Sequence, residues 1–67
     1  MGSDWVNIYE SNKSYEVEII KGMLLENEIE ALIVNKQDSI YLFGEFELYV
    51  LQDNVIKAKS LIHNFNL

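Results

Sequence analysis

The apolar pattern of this chain predicts an α+β domain assembled in the order βαββα. Three observations predict it. Strand-like alternation of β-branched and aromatic residues recurs at 5–9, 29–35 and 46–51. Apolar residues at helical spacing mark two helices, near 13–27 and 54–64. Finally, 67 residues allow one domain only, so all five elements must share one core. A chain this short buries only about 60% of its unfolded surface, and that core is small.

The start, Met1-Gly2-Ser3, reads as an expression scar, and the domain is taken as 4–67. Trp5-Val6-Asn7-Ile8-Tyr9 forms strand one, with Val6 and Ile8 on one side and Trp5, Asn7 and Tyr9 on the other. Glu10 to Ser14 breaks the pattern, and Ser11 or Asn12 is placed to cap the following helix through a side-chain oxygen. In helix one, Val17, Ile19, Ile20, Met23 and Leu24 fall within one arc. Gly22 lies outside that arc, so core packing does not explain it; it marks either a tolerant surface position or the close approach of a partner.

Glu26-Asn27-Glu28 ends the helix, with Asn27 expected to take the left-handed turn. In strand two, Ala31 and Ile33 oppose Leu32 and Val34. In strand three, Phe46, Leu48 and Val50 alternate with Glu47, Tyr49 and Leu51. Gln52-Asp53-Asn54 supplies a turn and a second cap. Helix two then places Val55, Ala58, Leu61, Ile62 and Phe65 on one face and leaves Ile56 outside it. The short link between strands two and three favours an antiparallel hairpin. The solution is a three-stranded antiparallel sheet of order 1-3-2 with both helices on one face, a ferredoxin-like split βαβ without its final strand.

Composition excludes several functions. There is no cysteine, hence no disulfide framework, thiol nucleophile or cysteine-bound zinc. Five basic against eleven acidic residues give a net charge of −6, which opposes nucleic acid and anionic membrane. No apolar run approaches the roughly 18 residues of a membrane span, and no leader pattern is visible, so the expected location is the cytoplasm. No glycine-rich phosphate loop occurs, and no acid–base pair can be assembled from the spacing; the expectation is a non-enzyme without cofactor or metal. His63 reads as a solvated side chain near a helix C-terminus. Glu26, Glu28 and Glu30 read as a solvated acidic corner.

The informative surface is the second sheet face. With the core side assigned, the other face carries Trp5, Tyr9, Leu32, Val34, Tyr49 and Leu51, with Asn7 and Glu47 as its polar members. An open antiparallel sheet normally turns a polar face to water. A largely apolar one marks a partner surface, and a second copy of the chain is the expected partner, alongside an unidentified protein. Aromatic sheet faces also stack RNA bases, but the chain has no arginine, and Lys36 is the only basic residue near these strands.

Several segments resemble a known family. They are Trp5-Val6-Asn7-Ile8-Tyr9, the helix Val17-Glu18-Ile19-Ile20-Lys21-Gly22-Met23-Leu24, the turn Asn27-Glu28-Ile29-Glu30-Ala31, Leu48-Tyr49-Val50 and Ala58-Lys59-Ser60-Leu61. In order and spacing these are similar to the small family of putative prokaryotic signal-transducing proteins, from about Asp4 to Ile62. Glu28 departs from the pattern, standing where the family usually has glycine. The resemblance implies a PII-like, ferredoxin-like regulatory role and makes residues 36–45 the counterpart of a flexible loop between strands two and three.

The leading expectation is a regulatory or protein-interaction module that self-associates through the open face. The alternative is a small-molecule sensor near the loop, whose candidate residues are Lys36, Asp38, Tyr41 and Phe43, with Tyr49 as a further wall. Within the loop, Lys36 to Ser39 is expected to form an exposed tip. Ile40 to Phe43 is expected to pack back onto the domain.

Overall fold

The computed structural model describes residues 4–36 and 45–65. The elements are β1 (Trp5–Ser11), α1 (Ser14–Glu26), β2 (Ala31–Asn35), β3 (Phe46–Leu51), a 3-10 turn (Gln52–Asn54) and α2 (Val55–Asn64). The sheet is antiparallel throughout, in the order β1-β3-β2. This is the architecture that the apolar pattern implies. The expected tip at 37–39, the apolar run at 40–43, Gly44 and any strand-forming role of 66–67 lie outside the described residues. Two backbone bonds frame β3: Lys36 N–H to the Glu45 carbonyl at 2.9 Å and Gln52 N–H to the Asp4 carbonyl at 2.8 Å.

The register fixes which side chains share a face. Val6, Val50 and Ala31 stand side by side, and Leu48 pairs with Ile33. Ala31, Leu48 and Val50 join Ile20, Leu24, Ile29 and Ala58 in one buried cluster, against which Val55, Leu61, Ile62 and Phe65 pack. Both helices therefore cover the same face of the sheet. Val17 and Leu24 are fully buried, but Ile19 is 45% exposed, so the arc read from the helical wheel is too wide. The helix lies on only three strands and buries a narrow stripe.

The two ends of α1 differ from expectation. At its start Lys13 occupies the capping position and no side chain caps the helix. Ser11 works one step earlier. Its hydroxyl accepts the Lys13 N–H at 3.1 Å and donates to Glu16 Oε1 at 2.6 Å, tying the end of β1 to the first turn of α1. At the other end Asn27 keeps φ at −101°, and Glu28 takes the left-handed conformation with φ 64°. Ile29 N–H then reaches the Leu24 carbonyl and Glu28 N–H the Leu25 carbonyl, both at 2.9 Å. That bond pair defines a Schellman motif, and its accompanying apolar contact joins Leu24 to Ile29, each buried. Asn27 does not take the turn because its side-chain amide instead donates to the Met23 carbonyl at 2.9 Å. Ile29 is spent on this contact, and β2 begins two residues later than its apolar run.

Candidate functional site

The face of the sheet away from the helices carries no element of the described chain. Across it the side chains form rows. Trp5 and Leu51 make the first; Asn7, Tyr49 and Leu32 the second; Glu10, Glu47 and Val34 the third. Trp5 is 41% and Leu32 45% exposed, and Val34, Tyr49 and Leu51 are half-buried.

Tyr9 does not belong to this face. The pairing runs Asn7 with Tyr49 and then Tyr9 with Leu48, so Ile8 is the extra residue of a β-bulge. The bulge turns both Ile8 and Tyr9 toward the core, where they pack on the buried cluster. The Tyr9 hydroxyl donates to Glu16 on α1 at 3.3 Å. Burial first, and then the Glu16 carboxylate, raise the tyrosine's pKa. The same one-residue slip brings Glu10, which strict alternation sends to the core side, onto the open face opposite Glu47.

The face therefore has two unlike ends. Trp5, Leu32, Tyr49 and Leu51 are apolar or aromatic. Beyond them, Glu10, Glu45 and Glu47 gather with Lys36, whose ammonium lies 4.0 Å from Glu47. That exposed ion pair stabilises little. The Glu10 pKa is raised, chiefly by hydrogen bonding to the Glu45 carboxyl and by its charge. Tyr49 reaches into the acidic end. Its hydroxyl donates to Glu47 Oε1 at 2.6 Å, and that bond is the main reason its pKa is raised. Between the two ends, the Asn7 Nδ2 amide beside Tyr49 is shut off from water without a well-formed hydrogen bond.

Of the loop candidates, Lys36 sits at the edge of the acidic end, while Asp38, Tyr41 and Phe43 lie outside the described residues. The alternation of 5–9 gives no sign that Glu10 shares the open face; an irregularity in β1 would have to be known first. Among the described residues no three His, Cys, Asp or Glu side chains converge as a metal site, and no pocket opens. No helix among them is long and apolar enough to cross a membrane.

A family model described as "Putative prokaryotic signal transducing protein" matches residues 5–66 of the chain. The match spans every described element. No curated protein and no solved structure matches the chain.

Proposed function

The chain belongs to the family of putative prokaryotic signal transducing proteins, and from that premise we propose that it is a non-enzymatic regulatory module of the cytoplasm that self-associates through its open sheet face. The observation that carries this reading is the apolar end of that face. Trp5 and Leu32 stand nearly half exposed beside Tyr49 and Leu51. Taking one fully exposed side chain of this kind to full burial is worth about 1.5–3 kcal/mol, and covering the exposed remainder of these four returns less than half of that each, which offsets part of the cost of association. A surface that a second copy can cover, and that another protein can compete for, is the physical basis of a switchable interaction.

Sedimentation equilibrium at micromolar concentration tests the reading. A dimer is expected, and a strict monomer at every loading sinks it. Tyr49→Glu places a charge among Trp5, Leu32 and Leu51 and should dissociate the pair with the far-ultraviolet circular dichroism unchanged.

A further inference from the structure

β1 and β2 are the two edges of the sheet, and among the described residues no strand pairs with the outer side of either. We infer that β2 is an assembly edge: it pairs antiparallel with β2 of a second copy about a two-fold axis at Ile33, which sets Glu30 of each copy against Lys36 of the other. This contact lies outside the open face and does not depend on it.

The backbone is arranged for such a pairing. Lys36 donates to the Glu45 carbonyl, so Leu32, Val34 and Lys36 turn their backbone groups toward β3. Ala31 and Ile33 turn theirs outward. With the axis at Ile33, the two copies of that residue exchange both bonds, and Ala31 comes opposite Asn35. On the open-face side Leu32 meets Val34 and Glu30 meets Lys36. These are non-hydrogen-bonded pairs, whose Cα atoms stand only about 4.5 Å apart. A ladder admits discrete registers, and the neighbouring ones set Glu30 against Val34 or Lys36 against Leu32.

Three observations single out β2. Between Glu30 and Lys36 it carries no charge, proline or bulge, the devices that guard an exposed edge. Glu30 is exposed and has no ion pair among the described residues, while Lys36, with a side chain 57% exposed, holds Glu47 only at 4.0 Å. The third is Leu25 of α1, an apolar side chain left 62% exposed. It follows Glu16 by nine residues, about two and a half turns, so the two point in opposite directions. Glu16 reaches Tyr9 on β1, and Leu25 therefore points past β2, where α1 of the second copy comes alongside. The β1 edge lacks this complementarity. It is bulged at Ile8, and the same pairing about Asn7 sets Asp4 against Glu10.

Five residues of strand and a flanking leucine bury less than the roughly 1,200 Å² of a standard interface, so this contact forms above the micromolar range that tests the open face. The experiment is sedimentation equilibrium at millimolar concentration on Tyr49→Glu, whose added charge opposes pairing through the open face. A reversible dimer is expected. Glu30→Lys or Lys36→Glu, added to it, should each weaken the dimer by about fivefold or more, because like charges then stand opposite at both ends. An equimolar mixture of those two variants, or both changes in one chain, should restore it, since every introduced charge then meets its opposite. Lys59→Glu makes the same change of charge on α2 and should leave the dimer unaltered. A Tyr49→Glu chain that stays monomeric overturns the edge pairing. So does a dimer indifferent to Glu30→Lys and Lys36→Glu, or one that neither mixing nor the double change restores. The open-face reading fails separately, if the unaltered chain associates no more strongly than Tyr49→Glu.

Discussion

Replacing Glu28 by glycine should stabilise the chain. Glu28 holds φ at 64° to close the Schellman motif after α1. For a residue with a Cβ that conformation costs about 1–2 kcal/mol, because the Cβ crowds the following carbonyl. Glycine removes the clash but returns about 0.5–1 kcal/mol through its greater freedom in the unfolded chain. The backbone gain is therefore about 0.5–1 kcal/mol. A carboxylate at the negative end of a helix is also unfavourable, by about 0.3–1 kcal/mol at low salt, and less for a side chain as exposed as this one. The sum is close to 1 kcal/mol, or about 4–8 °C in Tm for a domain of this size. Thermal and urea melts of Glu28→Gly, followed by circular dichroism, measure it. Glu28→Ala is the control, since it loses the charge but keeps the Cβ. It should gain only the electrostatic part, and that part should vanish in about 1 M salt. If alanine matches glycine at high salt, the left-handed backbone is not the source of the cost and the reasoning fails.

Gly22→Ala should also stabilise, by up to about 1 kcal/mol, since a Cβ there meets nothing within 4 Å and the position is inside a helix; a urea midpoint that falls instead would argue against the open surroundings of this residue. Leu24→Ala should cost about 2–5 kcal/mol, a large share of the roughly 3–10 kcal/mol available to so short a chain, and a loss under about 1 kcal/mol in the same melts would contradict its central place in the core. Glu10→Gln should raise Tm at neutral pH but not in acid. The folded pKa of Glu10 is raised, so its relative contribution is intact below the unfolded value of 4.5 and is lost as pH rises through the folded value. A glutamine benefit that persists below that range would mean that the Glu45 and Glu47 charges are not its cause.

Element order, strand pairing and most of the core were legible because alternation and helical spacing record burial directly. Phe46 to Leu51 forms β3 at the boundaries its pattern marks, and the stripe from Val55 to Phe65 packs as its spacing requires. What the pattern could not carry was a change of period. Ile8 and Tyr9 occupy one side of β1 because a bulge slips the register, and no glycine or proline marks the slip. One extra residue exchanges Tyr9 for Glu10 on the open face and turns a mostly apolar surface into one with two ends. The helix terminus was misplaced by a single residue for a related reason. Intrinsic preference favours Asn27 in the left-handed turn, but the bond from its amide to the Met23 carbonyl and the burial of Ile29 behind Leu24 move the turn to Glu28. Ile19 shows the remaining gap, because a helical wheel assigns direction but not how much of the arc a three-stranded sheet can cover.

The sheet order has a bearing on how the chain acquires its structure. β1 and β2 are not neighbours; each pairs only with β3, the last strand to be made. Trp5 waits for Leu51, and Ala31 for Val50. During synthesis everything up to Glu45 therefore emerges with both outer strands unpaired and with α1 lacking the sheet that buries it. Such contacts between distant positions slow folding, since loop closure must precede any gain from pairing. A nascent chain halted at Glu45 should remain a substrate for holding chaperones and proteases. β3 and the α2 helix that packs behind it should convert it in a single cooperative step, with the two flanking strands captured together or not at all.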